Sequence, residues 1–142
     1  MNYVSRIVPV MKGAIVADYL LDTTAIIRHL RGDEHVVSLL TDLVRQGHRL
    51  CSCCVTIAET YAGMREHERE KTERLIDSLL YRDITPAISK QAGTVRATAA
   101  RKGLTVATTD ALIAATALAH KLTIITGNAK HYPIEGLTVI EH

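Results

Sequence analysis

The chain alternates between short apolar runs and segments whose apolar residues recur at helical spacing. Residues 14–21 (AIVADYLL) form a mostly apolar run that ends at Asp22, the pattern of a buried strand. Residues 23–30 read as a short helix. Residues 33–46 carry apolar side chains at 36, 37, 40, 43 and 44, and Gly47 stands behind them as a helix stop. Residues 49–55 predict a second strand, after which Thr56 opens a helix running to about Gly63. Residues 72–80 are amphipathic, with Leu75, Ile76, Leu79 and Leu80 on one face. Residues 87–102 predict a long helix with Gly103 behind it. Residues 110–120 are Ala-rich and apolar around most of a helical circumference, so this helix is expected to be buried. The runs 122–126 (LTIIT) and 137–140 (LTVI) predict short strands, with Gly127, Asn128 and Pro133 marking the loop between them.

Strands alternating with helices predict an α/β domain with a mainly parallel sheet. A length of 142 residues suits one domain. Met11-Lys12-Gly13 has the look of a second start, which makes residues 1–11 a loose N-terminal extension in this reading. Ligands of such sheets bind outside the carboxyl ends of the strands, so Asp22 falls at the functional edge.

Composition narrows the class without naming it. Apolar residues at 47% and charged residues at 23% describe a globular chain, and the absence of Phe and Trp leaves Leu, Ile, Val and Ala to fill the core. A net charge of +2 neither requires nor excludes nucleic acid. The three cysteines, Cys51, Cys53 and Cys54, form no disulfide framework and lack a second pair for zinc. They are expected to be reduced and metal-free, as small apolar residues on a buried strand. No targeting segment and no membrane span is evident, which makes the cytoplasm the expected location.

Three acids sit at element boundaries: Asp22 after the first strand, Glu59 in the first turn of the helix after the second strand, and Asp110 at the start of the Ala-rich helix. Clustered carboxylates repel one another, and a hard divalent cation relieves that repulsion. Such an ion also activates water and stabilises charge on a phosphodiester. Each acid has a purely structural reading as well. Asp22 can make an Asx turn, Thr56-Ile57-Ala58-Glu59 fits a capping box, and Asp110 can be an N-cap. Taken one at a time, these local roles are at least as good as the chemical one.

Four local contexts carry a resemblance. Tyr19-Leu20-Leu21-Asp22-Thr23-Thr24 is similar to the L-D-T-S strand end of PIN-domain nucleases, especially the VapC toxins of bacterial toxin–antitoxin pairs. Residues 55–63 (VTIAETYAG) resemble the second acidic motif of that family. Residues 109–117 (TDALIAATA) resemble its D-x-x-I-A-A-x-A helix, and residues 126–132 (TGNAKHY) its T-x-N-x-x-x-F loop. The resemblance runs in order from about Lys12 to the end. It implies a three-layer α/β/α domain with Mg²⁺ or Mn²⁺ at Asp22, Glu59 and Asp110, and endonucleolytic, hydrolytic cleavage of RNA. It also implies a homodimer and a cognate antitoxin. Thr24 stands where a hydroxyl supports the first acid, and Asn128 where an amide supports the site. The chain departs from the family at His131, where many members carry a fourth acid.

Other classes fit less well. A haloacid-dehalogenase-like phosphatase wants an acid two residues after the first, where Thr24 stands. A receiver domain wants an acidic pair that the first strand does not offer. A catalytically inactive PIN scaffold that binds RNA or protein stays open as the non-enzymatic alternative. Arg65, Arg69, Lys71, Arg96, Arg101 and Lys102 are the basic residues expected to meet RNA phosphates, although a solvated face is the plainer reading of any one of them.

Overall fold

The alternation becomes five strands and six α-helices among residues 16–142, the residues that the computed structural model describes. The expected extension at 1–11, the second start and residues 14–15 of the predicted strand lie outside the described residues. In chain order the elements are β1 (Asp18–Leu21), α1 (Thr23–Leu30), α2 (Glu34–Arg45), β2 (Arg49–Cys53), α3 (Cys54–Gly63), α4 (Arg69–Ser78), β3 (Leu80–Arg82), α5 (Pro86–Arg101), α6 (Thr108–His120), β4 (Thr123–Thr126) and β5 (Val139–Glu141). Local chemistry sets several of the boundaries. The Asp33 carboxylate accepts the Val36 N–H at 3.1 Å at the head of α2, and Thr85 does the same for Ile88 at 3.2 Å ahead of Pro86 in α5. After α2 the chain turns at Gly47, whose φ of 87° is costly for any residue with a Cβ.

All four strand pairings are parallel, in the order β3-β2-β1-β4-β5. Side chains alternate across the pleat, so the core splits into two faces. Tyr19, Leu21, Ile125 and Ile140 point to one face and pack with residues of α1, α2 and α4. Leu20, Cys51, Cys53 and Ile124 point to the other and pack under Ile113, Ala114 and Ala117 of α6. α5 then covers α6 through Ile88, Ala92 and Ala99. The result is the three-layer α/β/α sandwich, with α6 buried as its composition demands.

Four sequence expectations need correction. The amphipathic segment 72–80 is not one helix: α4 stops at Ser78, and Leu80 opens β3, a three-residue edge strand paired to β2. The second strand ends at Cys53, two residues early, because the Thr56 hydroxyl accepts the Cys53 N–H at 3.1 Å and starts the helix there. The capping position is therefore Cys53 with Thr56, not Thr56 with Glu59. Cys54 opens α3 and is exposed, so only Cys51 and Cys53 are buried strand thiols. Burial pushes both of those thiols up and keeps them protonated.

One ion cluster ties three strands together. Asp18 on β1 accepts from Arg49 on β2 at 2.7 and 2.8 Å and from Arg82 on β3 at 2.9 Å. The Arg49 hydrogen bond is the main reason the Asp18 carboxyl lies below its ordinary value of 3.8. A depressed folded value means that this carboxylate contributes stability above about pH 4, which is lost as pH falls through the folded value. Asp18→Asn is therefore expected to unfold more easily than wild type at neutral pH. The difference should shrink below pH 3.8, and urea unfolding at pH 7 and pH 3 checks it. An equal gap at both pH values would remove this cluster from the acid response.

Candidate active site

β1 is the topological switch point: the chain leaves it for β2 on one side and later returns to β4 on the other. Asp22 follows β1 directly and caps α1. Its Oδ1 accepts the Thr24 N–H at 2.7 Å, the Thr24 hydroxyl at 2.5 Å and the Ala25 N–H at 3.4 Å. Its Oδ2 accepts the Thr126 hydroxyl at 2.6 Å and the Tyr132 hydroxyl at 3.1 Å. The carboxylate is thus buried and held by five donors from three parts of the chain. The Asx turn read from sequence is real, and it coexists with placement at the functional edge.

The other acids arrive from the helices that flank this edge. Glu59 is exposed on α3, beyond its first turn, and its Oε1 accepts the Thr23 hydroxyl at 2.7 Å. Asp110 is the third residue of α6, with Ala107 in the capping position, so the N-cap reading of Asp110 fails. Asp110 is half-buried, and burial raises its carboxyl above the ordinary range. His131 opposes that rise, while the charges of Asp22 and Glu59 add to it. Asp110 therefore feels the charges of the other two acids.

Thr24 also links the two sides of the site, since its oxygen accepts the Gly127 N–H at 2.7 Å. A Cβ on Gly127 would lie 3.0 Å from His142 Cε1 and 3.2 Å from Thr24 Oγ1, so the loop after β4 passes where only glycine fits comfortably. Asn128 does not reach a carboxylate. Its backbone N–H donates to Thr126 Oγ1 at 3.1 Å, and its side-chain nitrogen lies 3.0 Å from His131 Nε2. The other ring nitrogen, His131 Nδ1, lies 3.6 Å from Asp110 Oδ2.

Sequence reasoning assigned no role to Thr23, Thr126 or Tyr132 at this centre, and singled out His131 only as a departure from the family's fourth acid. All four lie inside the motif segments, but only the tertiary fold brings them onto the acids. Tyr132 is the clearest case. Burial first, and the nearby Asp22 charge second, push its phenol far up, so it stays a hydrogen-bond donor at every ordinary pH. Of the basic residues expected to meet RNA, Arg69 is engaged by Glu66 at 2.9 Å, and Arg96 donates to the Val106 carbonyl at 2.9 Å, just ahead of α6.

The donor set consists of hard carboxylate oxygens, which fits Mg²⁺ or Mn²⁺. Among the described residues no three His, Cys, Asp or Glu side chains close into a ready-made metal cage. Also among the described residues, no helix is long and apolar enough to cross a membrane.

Comparison with known proteins agrees with this fold. Ribonuclease VapC19 of Mycobacterium tuberculosis is 30% identical over 117 residues, covering 81% of this chain and 92% of that protein. Ribonuclease VapC10 of the same species is 35% identical over 117 residues, covering 81% of this chain and 86% of that protein. The fold matches a chain in the crystal structure of VapBC2 from Rickettsia felis bound to a DNA fragment from their promoter. There the TM-score is 0.77 at 21% identity, with 88% of this chain and 98% of that chain covered. Residues 19–137 match the PIN domain, and the chain belongs to that family.

Proposed function

We propose that this chain is a metal-dependent endoribonuclease, the toxin of a cytoplasmic toxin–antitoxin pair, working as a homodimer with Mg²⁺ or Mn²⁺ at Asp22, Glu59 and Asp110. Support for this reading comes from contacts that link acids of three separate segments: Glu59 accepts from Thr23 beside Asp22, and Asp110 neighbours His131, next to the Tyr132 that donates to Asp22. The VapC ribonucleases among its relatives supply the substrate class.

A divalent cation there would activate water for attack at phosphorus and neutralise charge on the phosphodiester. The chain's own residues prepare the place. Asp22 is immobilised by Thr24, Thr126 and Tyr132, so it spends no side-chain entropy on binding. Glu59 faces solvent, open to an incoming strand, and Thr23 fixes its direction. Asp110 carries a raised carboxyl, which a nearby positive charge would relieve. Hydrolysis in this arrangement needs no covalent intermediate.

The test is incubation of the purified chain with cellular RNA, with and without Mg²⁺ or Mn²⁺, followed by sequencing of the new ends. Cuts at defined sites only with metal are expected. An inactive scaffold would leave the RNA intact in both conditions.

The antitoxin has a fitting surface away from the acids. A groove of about 740 Å³ between α2, α4 and the start of β2 is lined by Leu40, Val44, Leu50, Leu75 and Leu79. Among the described residues Arg45 and Arg49 line it as well, and the Arg49 guanidinium is engaged by Asp18. This chemistry suits an antitoxin segment of apolar side chains with a carboxylate placed for Arg45. Val44 is 55% exposed, so Val44→Glu is expected to spare the thermal midpoint. The buried carboxylate should weaken the antitoxin complex by roughly tenfold or more. Titration calorimetry with the co-expressed antitoxin checks this, and unchanged affinity would move the interface elsewhere.

A further inference from the structure

We propose that Arg28 holds a backbone phosphate of the RNA beside the scissile one, so that the acidic edge carries a fixed positive charge along the path of the strand. This rests on the ribonuclease reading and adds to it a binding residue outside the basic set expected from sequence.

A polyanion laid beside Asp22, Glu59 and Asp110 is repelled by all three, so its flanking phosphates need cations of the protein's own. Several arginines are already committed. Arg31, Arg49, Arg69, Arg74 and Arg82 each pair with a carboxylate. Arg28 is exposed, and the side-chain partner found for its guanidinium among the described residues is the His142 ring, 3.5 Å from Nη1 to Nδ1. That distance is long for a hydrogen bond, so the head group is steered rather than held. Burial first, and the Arg28 charge second, lower the His142 value, which leaves the ring uncharged at neutral pH. The nearby Asp33 carboxylate is engaged by the Val36 N–H. The Arg28 charge therefore has no carboxylate partner among the described residues.

The fold brings this charge to the acidic edge. α1 is capped by Asp22, and Arg28 stands six residues on, about 9 Å along the axis. Side chains on a helix lean toward its N-terminus, so Arg28 reaches back toward Asp22, along the face that carries Thr24 one turn earlier. His142 marks where the guanidinium arrives. Its ring lies against Gly127, where an added Cβ would be 3.0 Å from His142 Cε1 and 3.2 Å from Thr24 Oγ1. The Gly127 N–H donates to Thr24 Oγ1, and the Thr24 hydroxyl donates to Asp22 Oδ1. A continuous line of contacts thus runs from the Asp22 carboxylate through Thr24, Gly127 and His142 to the Arg28 guanidinium.

Guanidinium suits this task because it is always charged and its planar fork matches two phosphate oxygens. A phosphate contact carries no base identity, so it should strengthen binding to every RNA sequence alike.

The experiment measures binding of fluorescently labelled oligouridine and oligoadenine to the full chain by anisotropy, without metal, across a series of salt concentrations. Wild type, Arg28→Gln and Arg74→Gln are compared, with melting as the check of folding. Arg74, paired with Glu70 on α4, is the control for general surface charge. Arg28→Gln is expected to lower the slope of log affinity against log salt by about 0.7, the share of one phosphate on a single strand, and to weaken binding about fivefold at 0.1 M salt. Both RNAs should show the same change, Arg74→Gln should track wild type, and the midpoint of each variant should stay within about 2 °C. An unchanged slope in Arg28→Gln, an equal drop in Arg74→Gln, a loss confined to one RNA, or no metal-free binding by wild type would each overturn the assignment of Arg28. Cleavage of the same RNAs by wild type with Mn²⁺ is measured in parallel. Wild type that cuts neither would overturn the ribonuclease reading itself.

Discussion

Asp110→Asn is expected to lower RNA cleavage by more than about a hundredfold while leaving the metal-free protein as stable as wild type. The loss follows from charge. Outer-shell partners of a metal alone are worth about 10–100-fold, and a charged oxygen next to the ion should matter more. The retained stability follows from the site. Asp110 is not a cap, because Ala107 holds that position, so its replacement removes no helix-start hydrogen bond. Burial raises the Asp110 carboxyl, which means its charged form costs stability once pH exceeds the folded value. Asn carries no such cost. The metal-free thermal midpoint of the variant at pH 7 should therefore equal or exceed that of wild type, while the midpoint gain on adding Mn²⁺ should disappear. A variant that cuts RNA normally would remove Asp110 from the chemistry.

Asp22→Asn should also lose cleavage, but it is the less clean test. Asn can keep the N–H groups of Thr24 and Ala25 at the head of α1, because it is as good a cap as Asp. It cannot accept from both Thr126 and Tyr132 on the second atom. Thr126 already accepts the Asn128 N–H, so its hydroxyl proton would be left without a partner. Some loss of activity in this variant would be structural, which a reading based on shape and charge alone does not foresee.

What could be read from the sequence followed from whether a residue's role is local. β1 and β4 announce themselves because the middle of a strand buried on both faces is apolar at successive positions, as at Leu20, Leu21, Ile124 and Ile125. α6 does so because Ala114 and Ala117 let the sheet approach closely on one side, and Ala111 and Ala115 let α5 approach on the other. β3 stayed hidden because three residues at a sheet edge carry no periodicity. Leu79 and Leu80 continue the helical spacing of Leu75 and Ile76, while the chain has already turned at Ser78. The start of α3 was misplaced because two Thr-containing patterns overlap, and the hydroxyl of Thr56 serves the backbone behind it rather than ahead of it. At the site, the acids were visible as residue types at element boundaries. Their supports, Thr126 and Tyr132, were not, since each meets Asp22 across more than a hundred residues of sequence.

Thr126→Val isolates one of those supports, and its expected effect on stability is large. Valine matches threonine in shape but has no hydroxyl. Thr126 is fully buried, donates to Asp22 Oδ2 at 2.6 Å and accepts the Asn128 N–H at 3.1 Å. Its replacement leaves a buried carboxylate short of its nearest donor on that oxygen and a backbone N–H without an acceptor. Each unmet partner costs about 1–3 kcal/mol, so a loss of roughly 2–4 kcal/mol is expected. For a domain of this size that lowers the thermal midpoint by on the order of 10 °C. Cleavage should fall too, because Asp22 loses its orientation and the loop carrying Asn128 and His131 loosens. Thr126→Ser separates the hydroxyl from the methyl group. Serine keeps both hydrogen bonds and gives up one buried methyl, at about 1 kcal/mol. It should therefore recover most of the stability and nearly all of the cleavage. Calorimetric melting of both variants, beside cleavage rates measured well below the Thr126→Val midpoint, checks the pair. Equal midpoints for the valine and serine variants would mean that packing, not the Asp22 hydrogen bond, is what Thr126 supplies.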